Sequence, residues 1–418
     1  MKNSLFLLIL LLISSVVRAQ QNGADSLAVI KFTSYYNTGK TDSIYALFGD
    51  EIRVAMPITA LNTGIQQVKS AFGNIIKAEY FKSDQRADTY IGTMERSGPV
   101  LYLNFNKSHR IVGFFVSADK RELPGTVTAT TPTSTLKGIL SMPATTKKIP
   151  VVLLIAGSGP TDRNGNNYLI KGKPNYFLQL SEGLNGLQIA VLRYDKRGIG
   201  QSTMTKTPSQ SVFEDNVEDA LAFIRLLKAD KRFSKVIVAG HSEGSLVGML
   251  ACEREKVDKF ISLAGPGFDA ATILKTQLRS NNTADDYKTA VLIVDSVRDG
   301  ESVKQILTPA LKYLFDPSLQ CYLHSWMQYD PSKEIAKLNI PILIVQGTND
   351  IQVSIGDAQR LKKAKPTAQL KLIDGMSHIL KPAPADRLQN FDTYSQSNLS
   401  LHPQLIPILS TYINSNTK

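Results

Sequence analysis

A serine flanked by glycines is the residue of this sequence whose setting most clearly indicates chemistry. Ser242 stands in the run GHSEG, after an apolar, β-branched segment and before apolar residues at helical spacing. This order predicts a strand, a sharp turn and a helix with no linker, the context of a nucleophile elbow. Such a turn strains the serine backbone and packs the helix against its strand, leaving no room for a Cβ on either side. We therefore predict that Ser242 is a nucleophile.

A serine hydroxyl needs a base to take its proton, and that base needs an acid to orient it. In folds with this elbow, the order along the chain is serine, acid, histidine. Asp350 follows the strand-like run IPILIVQG, and His378 lies in a glycine-containing loop after the run LKLI. We predict that Asp350 is the orienting acid and His378 the base.

Other acids and histidines follow the serine and compete for these roles. Asp357 and Asp374 are alternative acids, and Asp350 could instead cap a helix or a turn. His324 precedes the predicted acid, and His402 is followed by a proline at the start of the last helical pattern. We expect both histidines to be structural.

A second glycine-rich loop follows the apolar run VVLLIA and contains Gly157, Ser158 and Gly159. In serine hydrolases the loop at this place supplies one backbone N–H to the oxyanion, and the residue after the serine supplies the other. We assign the donors as the amides of Ser158 and Glu243, with Gly159 as the alternative to Ser158. A phosphate-binding loop is disfavoured because no Gly-Lys-Ser/Thr ending follows.

The segment RYDKRGIGQS is a third candidate loop. Gly198 and Gly200 are not followed by the third glycine of a dinucleotide site, since Thr203 occupies that position. We expect Asp195 and Arg197 to form an ion pair beneath the active site. Paired-cysteine and His-x-x-x-His motifs are missing from the sequence, so we predict neither a metal nor an organic cofactor.

The elements that must position these groups alternate between strands and helices from about residue 126 onward. Repeated β-α-β units predict a mainly parallel sheet that is covered on both faces. The three predicted catalytic groups all follow strands, so they should meet at the carboxyl edge of the sheet. Residues 265–339 are too long for a simple crossover and have helical patterns, which predicts a helical cap over the site. Its aromatic residues would line the substrate pocket or form the core of the cap; they are Tyr313, Phe315, Tyr322, Trp326 and Tyr329.

The chain before this region divides into a leader, a small domain and a connection. Residues 1–19 have one lysine, an apolar core too short to span a bilayer, and Val17 and Ala19 at the positions of a cleavage site, which indicates a signal peptide. Residues 24–119 combine helical patterns with short aromatic and β-branched runs, which predicts a small α+β domain. We assign 120–134 to a linker and 135–418 to the catalytic domain. The protein is expected to be exported, to the periplasm or beyond the cell.

Composition excludes several classes of protein. The net charge of +12 falls to +10 when Lys2 and Arg18 leave with the leader, and the remaining basic residues lie in short patches without interleaved aromatics. We therefore predict no nucleic-acid partner, and no membrane association after cleavage. Cys252 and Cys321 are too few for a disulfide framework in an exported chain of this size. The oligomeric state is left open.

Taken together, these motifs resemble a known group. From about residue 135 to the end the chain resembles the α/β-hydrolase superfamily. The segments GSGPTDRNG, RYDKRGIGQS, GHSEG, GTND and MSH resemble those of bacterial carboxylesterases related to serine aminopeptidase-like hydrolases. The resemblance implies Ser242 as nucleophile, Asp350 as acid and His378 as base, and some members carry a small N-terminal domain, as at 24–119. Ala156 departs from the histidine of many relatives, which we expect to change the support of the loop more than the chemistry.

Three functions are compatible with this pattern. The first is hydrolysis of a small-molecule carboxylic ester through an acyl-enzyme on Ser242. The second is a peptidase or amidase with the same triad, and the third is a non-catalytic binding protein, which the complete set of groups disfavours. We predict the carboxylesterase, because the aromatic segment suits an uncharged acyl chain. Glu243, the acid beside the nucleophile, is expected to pair with Arg163 or Arg197.

Overall fold

The structure is a computed structural model of the 418-residue chain, in which two compact units, Met1–Arg121 and Glu122–Lys418, are distinguished. It describes residues 25–84, 87–96, 99–117, 119, 121, 123–170, 172–279, 283–306 and 309–416. The predicted leader at 1–19 lies outside these residues.

The first unit is a layer of helices on an antiparallel sheet, which confirms the predicted α+β class. Its described helices are α1 (25–38), α2 (Thr41–Tyr45), α3 (Asp50–Ala55) and α4 (Ile58–Phe72). They precede β1 (Ile75–Ser83), β2 (Asp88–Met94), β3 (Val100–Phe105) and β4 (Ile111–Ser117), which pair in the order β1-β2-β3-β4. The core lies between the two layers, where Phe32 and Tyr36 of α1 meet Leu101 and Leu103 of β3.

The second unit is built on a nine-stranded sheet in the order β13-β12-β11-β10-β7-β8-β6-β5, with β9 beside β6. The strands are β5 (Thr126–Thr131), β6 (Ser134–Ser141), β7 (Ile149–Ile155), β8 (Ala190–Tyr194), β9 (Thr203–Met204), β10 (Phe233–His241), β11 (Lys259–Leu263), β12 (Ile342–Gly347) and β13 (Gln369–Ile373). The neighbouring strands β8, β7, β10, β11, β12 and β13 run parallel to one another, while β6 runs antiparallel to β5, β8 and β9. The expected linker at 120–134 is therefore partly sheet, because residues 126–131 form β5.

Helices cover this sheet on both faces, as expected for parallel strands. They are α5 (Tyr176–Asn185), α6 (Phe213–Ala229), α7 (Glu243–Arg254), α13 (Ile355–Ala364), α14 (Arg387–Asp392) and α15 (Leu405–Asn414). Side chains alternate along β7: Val151 and Leu153 join the apolar layer with α6 and α7, whereas Val152 and Leu154 join the layer with α5 and α15. This two-sided burial explains why the strand reads as a continuous apolar run.

Further helices lie between β11 and β12, in the segment predicted as a cap. They are α8 (Ala270–Arg279), α9 (Ala284–Arg298), α10 (Pro309–Leu314), α11 (Gln320–Met327) and α12 (Pro331–Lys337). Two of these helices begin with a side-chain N-cap: Thr283 accepts a hydrogen bond from the Asp286 amide at the start of α9, and Asp330 accepts one from the Ser332 amide at the start of α12.

Candidate active site

Ser242 lies at the turn between β10 and α7, with φ 55° and ψ −128°. A Cβ on Gly240 would lie 2.1 Å from the carbonyl oxygen of Gly244, and one on Gly244 would lie 2.3 Å from that of Ile155. Both contacts are far below van der Waals distance, so only glycine fits on either side. The turn therefore raises Ser242 at the carboxyl end of the sheet, as the sequence predicts for an elbow.

His378 and Asp350 are joined by a hydrogen bond of 2.8 Å between Nδ1 and Oδ2. Their side chains are 5% and 0% exposed. Each follows a strand at the same edge of the sheet, His378 after β13 and Asp350 after β12. His378 and Ser242 line one cleft, so the structure brings the three predicted residues to the same place.

The Asp350 carboxylate is surrounded by donors. Oδ1 accepts hydrogen bonds from the backbone amides of Gln352 at 2.8 Å and Val353 at 2.9 Å, and Oδ2 accepts one from Gln346 Nε2 at 2.9 Å. Burial alone would raise the pKa of Asp350, but the charge and hydrogen bond of His378 and the two backbone amides outweigh it and lower the pKa. The carboxylate is therefore ionised and can hold Nδ1–H of His378.

The competing acids and histidines have other partners. Asp357 accepts hydrogen bonds from the amides of Ser354 and Gly267, and Asp374 accepts one from the Thr348 hydroxyl. The ring of His324 bonds backbone carbonyls at 297 and 298, and His402 Nδ1 accepts from a backbone amide two residues on. These contacts are structural, which fits our expectation for both histidines.

His241, the residue before the nucleophile, contacts the backbone of the predicted base, His378. Its Nε2 donates to the backbone carbonyl of His378 at 2.7 Å, so Nδ1 is free to accept from the Tyr176 hydroxyl at 3.4 Å. Burial, followed by the neighbouring His378, lowers the pKa of His241 to about 3. This role could not be predicted from the sequence, because the strand that carries His241 and the loop of His378 are distant in the chain.

A cleft that is partly open to solvent lies in front of Ser242. Asn167, Gln352 and Tyr394 are polar groups in its lining, and Ile170 and Ile379 are apolar ones. The cleft lining, among the residues that the structure describes, contains no aspartate or glutamate. The described lining of the cleft includes no residue of the predicted cap, 265–339.

The aromatic residues of the helical segment therefore do not line this cleft. Tyr322, Trp326 and Tyr329 pack around Phe213, with ring centroids 6.0, 6.1 and 5.7 Å from it. Phe315 is fully buried and Tyr313 is 85% exposed. Of the two interpretations that the sequence allowed, a core within the helical layer is the correct one for the buried members.

The proposed oxyanion donors flank the nucleophile. A Cβ on Gly157 would lie 2.9 Å from Ser242 Cβ, so the loop after β7 passes against the serine. Gly157 and Ser158 line the cleft, whereas Gly159 is not among the lining residues, which favours Ser158 over its alternative. Glu243 is the first residue of α7, where a backbone N–H has no partner within the helix.

The ion pairs beneath the site differ from our expectations. Asp195 pairs with Arg163, whose Nε donates to Oδ1 at 3.0 Å, and Arg197 pairs with Asp219 at 2.7 Å. The predicted Asp195–Arg197 pair was wrong. Glu243 pairs with neither arginine but with Lys196, because the loop after β8 turns so that the lysine points toward the elbow.

Three further observations concern metals, cysteines and membranes. Among the described residues, no group of three or more His, Cys, Asp or Glu side chains could hold a metal ion. Cys252 is buried on α7 and Cys321 is exposed, and both are free. A helix long and apolar enough to cross a bilayer is not found in the part of the chain that the structure describes.

The strand order, the elbow and the His–Asp pair are those of an α/β-hydrolase fold. Residues 174–381 match the family model described as "Serine aminopeptidase, S33". This range includes Ser242, Asp350 and His378.

The chain is similar to Esterase EstD of Thermotoga maritima, with 24% identity over 385 residues that cover 86% of this chain and 88% of EstD. That share exceeds what the unit Glu122–Lys418 can supply, so the similarity extends into the first unit. A monoglyceride lipase homolog of Monkeypox virus is 26% identical over 216 residues, covering 48% of this chain and 76% of that protein. Among solved structures, Est1E of Butyrivibrio proteoclasticus has a TM-score of 0.42 at 20% identity, covering 65% of this chain and 96% of Est1E.

Proposed function

We propose that this protein hydrolyses carboxylic esters of small molecules through an acyl-enzyme on Ser242. The observation that carries the proposal is the 2.8 Å hydrogen bond from His378 to Asp350 at a cleft that Ser242 also lines. Such a pair makes the imidazole a base for the serine proton. The similarity to a protein named as an esterase supports the choice of substrate.

The reaction proceeds in two halves. Ser242 Oγ forms a bond to the ester carbonyl carbon while His378 Nε2 takes the hydroxyl proton. The carbonyl oxygen becomes an oxyanion and accepts hydrogen bonds from the amides of Ser158 and Glu243. The bond from carbon to the alcohol oxygen then breaks, and His378 returns its proton to that oxygen. Water, deprotonated by His378, attacks the acyl-serine, and the carboxylic acid and Ser242 are released.

An aminopeptidase is the second candidate, because the matching family carries that name. Its substrate presents an α-ammonium, which needs a carboxylate nearby once it is removed from water. The lining of the cleft holds no carboxylate among the described residues, and the two nearest acids are engaged: Asp350 with His378 and Glu243 with Lys196. This distribution of charge favours a neutral acyl group.

The two candidates differ in kcat/KM for matched substrates. We expect the purified protein to cleave short-chain p-nitrophenyl esters at least about tenfold better than amino-acyl or dipeptidyl p-nitroanilides. Ser242→Ala serves as the blank and should abolish ester turnover without changing the thermal midpoint of unfolding. A preference for the anilides would contradict the ester proposal and leave Ser242 as nucleophile, whereas an active Ser242→Ala would contradict both.

A further inference from the structure

Lys196 contacts two groups behind the nucleophile. Its Nζ donates to the Gly157 carbonyl at 3.0 Å and to Glu243 Oε1 at 3.2 Å. The side chain of Lys196 is 12% exposed and that of Glu243 is 1% exposed. One buried cation thus joins the loop after β7 to the first turn of α7. These are the two segments that carry the proposed oxyanion donors.

The Gly157 carbonyl and the Ser158 N–H belong to the same planar peptide unit. A donor on the oxygen of that unit fixes the direction in which its N–H points. A positive charge at the oxygen end also polarises the unit, which makes the N–H a stronger donor. Lys196 can therefore act on the oxyanion through Ser158 without touching the substrate.

Glu243 has two parts with opposite effects on an oxyanion. Its amide is a proposed donor, but its carboxylate would repel the negative charge if it were not neutralised. Lys196 Nζ, 3.2 Å from Glu243 Oε1, is the cation that neutralises this carboxylate. A buried carboxylate without that cation would be costly for the fold as well as for the reaction.

Tyr322 of α11 adjoins the same carboxylate from the helical segment. Asn216 Nδ2 donates to its hydroxyl oxygen at 3.0 Å, which leaves the hydroxyl hydrogen available for Glu243. Burial and then the charge of Glu243 raise the pKa of Tyr322, so the hydroxyl stays protonated beside the carboxylate. The helical segment thus reaches the elbow from behind.

We propose that Lys196, held by Glu243, is a positioning residue that orients and polarises the Gly157–Ser158 peptide as an oxyanion donor. The inference rests on the proposed function of the Ser242 site. A neighbouring pair shows the contrast: the side chains of Arg197 and Asp219 are 8% and 1% exposed, and their other contacts are with Thr133, Ser134 and Asp215 rather than with Gly157 or Glu243.

The test compares Lys196→Met, Lys196→Arg and a control lysine in another ion pair, Lys206→Met. Lys206 bonds Asp215 at 2.8 Å and is 28% exposed. We expect Lys196→Met to lower kcat for a short-chain ester by about 10- to 100-fold with little change in KM, since it weakens a contact made in the transition state. Lys196→Arg should recover most of the rate, and Lys206→Met should resemble the wild type.

Two more readouts separate positioning from folding and from the function itself. Hydrogen exchange over residues 156–159 should rise in Lys196→Met and not in Lys206→Met, whatever the substrate of the enzyme. The double variant Lys196→Met/Glu243→Gln removes both charges, so it should keep the wild-type unfolding midpoint while its kcat stays low. A fluorophosphonate should label Ser242 of the wild type rapidly and that of Lys196→Met more slowly.

Each remaining outcome contradicts one proposal. Labelling and turnover of Lys196→Met within about threefold of the wild type would overturn the role of Lys196 and leave the proposed function intact. A double variant with wild-type kcat would show that Lys196 only neutralises Glu243, and this result would also overturn the positioning role of Lys196. A wild type that is neither labelled nor active would refute the proposed function, and the exchange data would then decide on Lys196 alone: unchanged exchange overturns the inference.

Discussion

At Asp350, the charge and hydrogen bond of His378, together with two backbone amides, outweigh burial and keep the carboxylate ionised. The side chain is fully buried, which by itself favours the neutral acid, yet His378, two backbone amides and the Gln346 amide point at it. The result is a lowered pKa and a carboxylate that orients the His378 ring. His241 is the opposite case, because it is buried with one carbonyl and one hydroxyl as partners and has no carboxylate of its own.

The lowered pKa of His241 predicts a pH dependence of stability. Its folded pKa of about 3 lies below the ordinary value of 6.5, so the unfolded chain binds the extra proton more readily between these values. Stability is therefore complete above pH 6.5 and is lost as pH falls toward 3. Between pH 7 and pH 5 we expect protonation of His241 in the unfolded chain to lower the free energy of unfolding of the hydrolase unit by about 2 kcal/mol. His241→Gln should remove that part of the slope.

The measurement is urea unfolding at pH 7 and pH 5, followed by tryptophan fluorescence. Trp326 is the single tryptophan of the chain and is buried against Phe213, so the signal reports on the hydrolase unit. His402→Gln is the matched control, because it makes the same substitution at a partly exposed histidine. An equal change of unfolding free energy with pH in the wild type and in His241→Gln would contradict the lowered pKa of His241.

Among the elements, β7, β10 and α7 form the frame of the site. The start of α7 passes so close to the end of β7 that a Cβ on Gly244 would lie 2.3 Å from the Ile155 carbonyl and 2.5 Å from that of Ala156. The loop that leaves β7 at this point carries Gly157 and Ser158. A displacement of α7 would therefore move the nucleophile and both proposed donors together.

Gly244→Ala should consequently lower both stability and activity. The added methyl group meets backbone atoms, which cannot rotate out of the way, so we expect the free energy of unfolding to fall by about 2–3 kcal/mol. We also expect kcat to fall by more than the smaller folded fraction explains, because the nucleophile is displaced. Gly186→Ala is the control: Gly186 has φ −58° and its Cβ would meet only ordinary contacts at 3.5 Å or more. Urea unfolding and ester turnover of the two variants test the difference, and matching behaviour of both would count against the close packing.

For the buried aromatic residues of the helices between β11 and β12, the structure decides between the two interpretations that the sequence left open. Tyr322, Trp326 and Tyr329 pack around Phe213 of α6, and the cleft lining contains none of them. Tyr322 reaches Glu243 instead. Substitutions in this segment should therefore act on the site through the elbow.

At the scale of the whole molecule, the chain consists of two units with separate cores. The similarity to EstD extends over part of the first unit. Groups assigned to catalysis lie only in the second unit. Residues 1–19, outside the described part, carry the predicted export signal.

The predicted signal peptide implies a particular N-terminus for the mature chain. Ala19 is the small residue before the expected cleavage site, so protein recovered outside the cytoplasm should begin at Gln20 or within a few residues of it. Mass spectrometry of the N-terminal peptide measures this directly. Ala19→Arg should block cleavage, because the peptidase site accepts only small side chains there, while Ser34→Ala, in the first described helix, should not. Exported protein that keeps Met1 would contradict the prediction.

Local patterns alone were enough to predict several parts of this protein. The elbow was evident because a strand, a glycine-flanked serine and a helix are contiguous, and the geometry of such a turn depends on only a few residues. The α+β and α/β classes followed from periodicities of two and 3.6 residues. Asp350 and His378 could be singled out because they end strands in a fixed order after the serine.

Contacts between distant segments were decided only by the tertiary structure. The partners of Asp195, Arg197 and Glu243 depend on how loops after β7, β8 and β10 turn toward one another, and charge alone leaves several pairings equally good. The start of the second sheet at β5 was hidden because threonine-rich residues suit a linker as well as an edge strand. His241 and Lys196 act through a backbone carbonyl on another loop, and a sequence does not show which carbonyl a side chain will meet.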